Sequence, residues 1–344
     1  MKRSKYVMAA ALAVLVIGGG WLKYRPAGPG ADMVLAAQGF VEVLPPEQRK
    51  LALMAFDDPR RLDWHFIPKP ERKGLQIKQM NDTGRRAAHK LLESGLSHLG
   101  YDKAKTIMGL EAILRELEKS RTDAPIRDPE RYYFTIFGRP DDDGRWGWSV
   151  EGHHLSLNFV VDHGIVDATT PTFFGANPAE VREDFGDFKK GLRILKPEED
   201  TGFKLLASLT PEQRKQAVIA EKAPNDLRGA ALPRPPQDSL GGVAAADMTP
   251  EQIKLLRDLI KAYTDNMPEA VAKGRLEALE KAGIDKLQFA WAGADKPGIG
   301  HYYVVQGPTF VIEFVNTQPD SAGNPANHIH SLWRDAKNDF GQNH

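Results

Sequence analysis

Two histidines stand two residues apart near the end of the chain. They are His328 and His330, in the stretch "NHIHSLWRDAKNDFG" from Asn327 to Gly341. In an extended segment residues i and i+2 share a face, so both imidazoles point the same way and one metal ion can take both. The chain has 10 His and no Cys. Without Cys there is no disulfide framework, no thiolate metal site and no Cys nucleophile. His154 and Glu313 complete a candidate shell of three nitrogens and one oxygen, which suits zinc, copper, manganese or iron. Asn158, Asp162 and Asp335 are candidates for orienting those ligands from behind. Two other readings stay open for the His pair: hydrogen bonding to backbone at a domain closure with Trp333 packed behind it, and metal-free acid–base catalysis. Arg334 beside Asp335 reads as an internal ion pair or an anion clamp.

His154 and Glu313 enter through an internal repeat. "LPPEQRKLALMA" (Leu44 to Ala55) aligns without gaps to "LTPEQRKQAVIA" (Leu209 to Ala220), with eight of the twelve positions identical. Further on, the segment from Phe134 to Phe159 aligns to the segment from Phe289 to Phe314, with Phe134, Gly138, Val150, Gly152 and Phe159 identical to their mates. The second alignment pairs His154 with Thr309 and Asn158 with Glu313. Pseudo-symmetry then predicts that His154, Asn158 and Glu313 approach a common cleft.

Each half must position these residues, and each reads as helix, helix, then strands. Thr210-Pro211-Glu212-Gln213 and Thr249-Pro250-Glu251-Gln252 are capping boxes with Pro at the first helical position. Asp102 is expected to cap a helix whose Ile107, Leu110, Ile113, Leu114 and Leu117 face the core. Strands are expected over 131–137, 146–150 and 153–161, with mates over 287–292, 301–306 and 309–315. The strand parity of the third puts His153 on an apolar face and His154, Ser156, Asn158 and Asp162 on a polar one. His163 reads as a turn residue, His301 as exposed, and "DDDG" (Asp141 to Gly144) as a hairpin turn, since it lacks the carboxylate spacing of a calcium loop. "TFFGA" (Thr172 to Ala176) reads as core, Asn177-Pro178-Ala179-Glu180 as a helix start, and the Pro/Gly-rich stretch 223–247 as a long, partly mobile excursion.

The expected fold class is α+β: two duplicated helix–helix–antiparallel-meander halves packed together. The boundaries are 1–22 signal peptide or N-terminal anchor, 23–38 tether, 39–200 first half, 201–320 second half and 321–344 a C-terminal motif tail packing on the core. Lys2, Arg3 and Lys5 precede an apolar run from Val7 to Ile17, short for a spanning helix. The expectation is an exported protein, periplasmic or extracellular, touching a membrane only through residues 1–22.

Composition narrows the function. Lys+Arg and Asp+Glu are 46 each among 344 residues, so the net charge is zero, which argues against a nucleic-acid partner. No Gly-x-Ser-x-Gly elbow, His-Glu-x-x-His helix or phosphate-cradling Gly loop is present, so no nucleotide cofactor is expected. At "EGHHLSLNF", "FFGANPAEV" and "NHIHSLWRDAKNDFG" the chain resembles the uncharacterised family catalogued as domain of unknown function 3500. The resemblance extends over most of the chain beyond about residue 40, and implies no activity and no catalytic residues. The leading expectation is one transition metal ion and a small-molecule substrate, as in a metal-dependent hydrolase or oxidoreductase. The alternatives are a non-catalytic metal- or ligand-binding module and a structural scaffold with buried, satisfied histidines.

Overall fold

The computed structural model describes residues 28–123 and 125–342. The signal or anchor expected over 1–22 lies outside them. Residues 29–38, read from sequence as tether, are helical instead. They belong to α1 (Pro29–Val43), with Pro29 at its start and Met33, Val34, Ala37 and Phe40 buried. That spacing is a helical stripe inside a stretch whose Gly and Pro content reads as loop.

The chain then runs through α2 (Pro46–Ala52), the short strands β1 (Leu53–Met54) and β2 (Leu75–Gln76), α3 (Asp82–Ser94) and α4 (His98–Leu117). Five strands follow: β3 (Tyr133–Phe137), β4 (Arg145–Gly152), β5 (Leu155–Asp162), β6 (Ile165–Ala168) and β7 (Thr172–Ala176). The remaining helices and short strands are α5 (Lys196–Ser208), α6 (Pro211–Ala217), β8 (Val218–Ala220), β9 (Val243–Ala244), α7 (Pro250–Thr264) and α8 (Glu269–Ala282). The chain closes with β10 (Gln288–Gly293), β11 (His301–Gln306), β12 (Phe310–Gln318) and β13 (His328–Asp335).

All thirteen strands form one sheet, so the class is α+β. The main order is β1-β3-β4-β5-β7-β13-β12-β11-β10-β8. Read outward from the β7–β13 pair, each side is an antiparallel meander ending on a short parallel strand, β1 on β3 and β8 on β10. The C-terminal segment, expected to pack on the core as a tail, supplies a central strand. β13 pairs antiparallel with β12 on one side and β7 on the other.

The two faces of the sheet carry separate apolar clusters. The helices cover the larger one, which includes Phe40, Leu91, Ile107, Trp148, Phe159, Leu256, Tyr303 and Trp333. The opposite face holds a smaller cluster built on Trp64, Phe66, Phe173, Tyr302, Val315 and Leu332, under the loop 55–74 and the excursion 221–242. The excursion is packed, not loose: Ala223 and Leu227 are buried in that cluster. α4 begins earlier than its Asp102 suggests. Ser97 is its cap, accepting from Gly100 N–H at 3.0 Å, and Gly100 is where the helix start abuts the Asn266 backbone.

Both predicted capping boxes form, at Thr210 and Thr249. Their third helical residues also find each other. Gln213 Nε2 donates to Gln252 Oε1 at 2.9 Å, and Gln252 Nε2 donates to Gln213 Oε1 at 2.8 Å, both side chains buried. Gln252→Leu removes a cap partner and takes one of the two partners from each end of the Gln213 amide, which keeps Asp247 O and the Thr210 N–H. The expected loss is about 1–3 kcal/mol in denaturant unfolding.

His301 is fully buried, not exposed. It stacks on Trp291, and its Nε2 lies 3.2 Å from Glu199 Oε1. Burial works to raise the Glu199 carboxyl, but His301, Asn316 and Arg193 outweigh it and bring the group down to about 2. An unfolded glutamate titrates near 4.3. The stabilisation from Glu199 is therefore complete above that value and disappears as pH falls toward 2. Glu199→Gln is expected to flatten the acid limb of a stability-versus-pH curve in that window, with little change in the limb's slope above pH 5.

Candidate metal centre

β13 is extended, as the His-x-His spacing requires. Its alternation sends His328 and His330 to the face of the smaller cluster and Ile329, Ser331 and Trp333 to the helix face. Trp333 stacks on Phe310 with ring centres 4.6 Å apart. His154 arrives from the other half. β4 and β5 pair through Gly152 and Leu155, so His153 and His154 form the two-residue tip of their hairpin. This corrects the strand reading of 153–161. The turn lies at His153-His154, with His154 at φ 62°. A histidine in a left-handed conformation carries none of the Gly or Asn chemistry that marks such turns in sequence.

Three Nε2 atoms converge. His154 to His328 is 2.8 Å, His328 to His330 is 3.1 Å, and His154 to His330 is 3.3 Å. A point equidistant from them lies about 1.8 Å from each, close to the zinc–imidazole length of about 2.0–2.1 Å, so the three nitrogens could hold one ion together. His154 and His330 are buried, and His328 is partly so.

His330 Nδ1 lies 2.8 Å from Asp226 Oδ1. An ionised carboxylate only accepts, so Nδ1 carries a proton and Nε2 is the nitrogen turned to the trio. Burial tends to raise the Asp226 carboxyl, but the bonds from the His330 imidazole and the Leu227 N–H prevail and hold it below its usual range. His328 Nδ1 lies 3.4 Å from the Asn177 amide nitrogen, while Asn177 Oδ1 is buried with no partner. The Pro319 backbone carbonyl is a second hydrogen-bond partner of the His328 ring. Burial, with His330 alongside, pushes His328 down to about 3, and burial with His153 alongside takes His154 well below its ordinary value. Neutral His154 and His328 can turn lone pairs toward the His330 ring, a nitrogen donor set that one cation would suit.

The walls are aromatic. Phe66 and Phe173 stack at 3.9 Å, and their rings lie 4.7 and 5.6 Å from His330. Phe173 and Phe174, read as core, are buried. Behind His154, His153 Nδ1 meets Glu111 Oε1 at 2.5 Å and Arg127 Nη1 at 2.9 Å. Burial lifts the Glu111 carboxyl to about 8 against the pull of Arg127, and burial keeps His153 well below its ordinary value.

The structure brings together His154, His328 and His330 but not the fourth predicted residue. Glu313 is on the same sheet face, yet its carboxylate accepts from Arg228 Nε at 3.1 Å, Gly229 N–H at 2.9 Å and the Tyr302 hydroxyl at 3.0 Å. The expected orienting residues are engaged elsewhere. Asn158 donates to Pro171 O at 3.0 Å, and Asp162 lies 2.6 Å from the His163 ring at the next turn. Asp335 accepts from Arg275 and from the Lys337 and Asn338 N–H groups. Nor do Arg334 and Asp335 pair with each other. Arg334 is buried against Asp339, so Asp335 is free for Arg275. Sequence reasoning missed Asp226, an acid inside a Pro/Gly-rich excursion with no spacing cue. It also missed Asn177, taken for a helix cap: no helix follows it, and the Asn177–Pro178 peptide is cis. Among the described residues no carboxylate or other His joins the three nitrogens.

One backbone position guards the geometry. A Cβ at Gly175 would stand 2.8 Å from His154 Cδ2 and 3.0 Å from Ile329 O. Both distances are too short, and one neighbour is backbone. Gly175→Ala is expected to push the His154 ring off the trio. The affinity for added Zn²⁺ in calorimetric titration should drop at least tenfold, an effect of the size seen when a ligand's support is lost.

No curated protein and no solved structure matches the chain at a significant level. The family model for "Protein of unknown function (DUF3500)" matches residues 27–342, a span that takes in His154, His328, His330 and their partners Asp226 and Asn177. Reaching from the start of α1 to past β13, that match makes the chain a member of the family described as Protein of unknown function (DUF3500).

Proposed function

We propose that this chain is a metalloprotein in which His154, His328 and His330 hold one transition metal ion through Nε2. The observation that carries this is the convergence of the three Nε2 atoms within 3.3 Å while Asp226 holds a His330 proton on the opposite nitrogen. Three imidazoles without a carboxylate suit zinc or copper better than manganese, which prefers oxygen. Three protein ligands on one side of an ion leave a position for water or substrate. Zinc there would lower the pKa of a bound water to near neutrality and polarise a substrate carbonyl or phosphoryl group, the chemistry of a hydrolase. Copper would supply one-electron chemistry. The reactant is a small molecule, given the aromatic walls and the partial cover of the site.

A second reading keeps the ion but not the reaction. The burial of His154 and His330 under the excursion 221–242 favours a carrier or a structural ion with restricted access. We also propose that the two halves descend from one duplicated unit, supported by the repeated helix-capping segment and the mirrored strand order about β7 and β13. Export is proposed on the basic start and apolar run of residues 2–17, with membrane contact confined to that segment and no nucleic-acid partner.

Elemental analysis of protein purified without chelators tests the metal. About one equivalent of zinc or copper is expected in the natural protein and less than a tenth of that in His328→Ala/His330→Ala. Equal, negligible metal in both, persisting after reconstitution with Zn²⁺ and Cu²⁺, removes the proposal. Azide binding to a cobalt-substituted sample separates the readings, because a hydrolytic site accepts the anion in an open position and a closed carrier does not.

A further inference from the structure

The tip of the β4–β5 hairpin is fixed more firmly than a loop needs to be. His154 occupies a left-handed conformation that glycine or asparagine takes more readily. Backbone bonds hold it there: His154 N–H donates to Phe66 O at 2.9 Å, and Gly175 N–H donates to His154 O at 2.8 Å. The Tyr132 hydroxyl donates to His153 O at 2.8 Å. None of these contacts reaches the His154 ring, whose rotation decides where Nε2 points.

The ring is held by what lies on its faces. His153 stacks on it with centres 3.8 Å apart and planes 28° apart, and Gly175 leaves room on the β7 side. His153 Nδ1 sits between Glu111 of α4 and Arg127 and bonds one of them at a time. Arg127 binds Glu118 at 2.8 Å, and Glu118 accepts from the Ser321 hydroxyl at 2.7 Å. Ser321 belongs to the segment 319–327 that leads into His328. One chain of polar contacts thus ties the ring behind His154 to the segment that delivers the other two histidines. A plain aromatic residue could stack, but it would have no bond to α4 or Arg127.

Resting on the metal reading above, we infer that His153 is a positioning residue for this centre. Its imidazole, held between Glu111 and Arg127, sets the ring plane of His154 so that Nε2 meets those of His328 and His330. His153 binds no ion itself.

The test compares the natural protein with His153→Ala, His153→Phe and Glu111→Gln, each first checked for an intact fold by circular dichroism. Each is titrated with Co²⁺, followed by its visible d–d bands. His153→Ala is expected to bind Co²⁺ 10–100-fold more weakly with shifted bands. His153→Phe should restore most of the affinity by stacking. Glu111→Gln should fall between the natural protein and His153→Ala. Wild-type affinity and bands in His153→Ala overturn the inference, and so does equal impairment of the Phe and Ala variants. If the natural protein takes up no Co²⁺, the metal reading fails by itself. Proton NMR of the metal-free proteins then decides the role of His153. Contacts between the His154 and His328 rings should persist in His153→Phe and vanish in His153→Ala, and their survival in both overturns it.

Discussion

The pairing of β13 with β7 is the constraint on which the rest of the structure depends. β7 lies in the middle of the sequence and β13 more than 150 residues further on, with Ile329 opposite Ala176, His330 opposite Gly175 and Trp333 opposite Thr172. That seam turns two meanders into one sheet. A single-residue slip would exchange the faces, sending His328 and His330 into the helix-side core and Trp333 into the loop side. The apolar residues on the other face of β13, Ile329 and Trp333, therefore fix the register that the histidines need. The stack of Trp333 on Phe310 and the burial of Ile329 hold the imidazoles in place from the opposite face.

The buried polar groups follow from the same seam. Polar atoms removed from water require partners, and here the partners come from whichever half is nearest in space. Asp226, on the excursion between β8 and β9, reaches His330. Asn316 of β12 joins Glu199 of α5, donating at 2.8 Å, to the backbone N–H of His328, which donates to Asn316 Oδ1 at 3.1 Å. Glu313 would be a metal ligand by position on its face, but Arg228, Gly229 and Tyr302 already fill its acceptor sites. Competition for a buried carboxylate, not distance along the chain, decides which acids remain for an ion. The site that results is nitrogen-only and lined on one side by Phe66 and Phe173. In that setting a bound cation would interact strongly with whatever approaches it, because little water screens the charge.

Much of this was legible in the residues. The capping boxes at Thr210 and Thr249 appear as read, because caps are local and their hydrogen bonds span three residues. The stripe Ile107, Leu110, Ile113 and Leu114 of α4 is buried as its periodicity implies, while Leu117 at its end is exposed, and the meander strands follow from alternation except where the turn at His153-His154 breaks it. His-x-His places two imidazoles on one side wherever the backbone is extended. The turn at His163 and the burial of Phe173 and Phe174 were likewise predictable from short-range pattern. The misreadings share one cause, which is tertiary cover. Residues 29–38 form a helix because α3 packs on it, and His301 is buried because Trp291 and Phe314 enclose it. Part of the excursion, Ala223 and Leu227, is packed because the smaller cluster needs a roof. None of those neighbours is near in sequence.

By itself, then, the sequence determined the α+β class, the two helix starts at the capping boxes, the repeat-like order of elements, the absence of any thiolate ligand and the pair His328–His330. These depend on alternation, helical period and residue chemistry, all of which act over a few residues. Only the tertiary structure decided that His154 is the third member and that Glu313 is withheld. It also decided that Asp226 and Asn177 stand behind the ring nitrogens, and that β13 is the middle of the sheet. Those outcomes depend on which surfaces bury each other, and a buried polar atom takes the partner that packing brings to it.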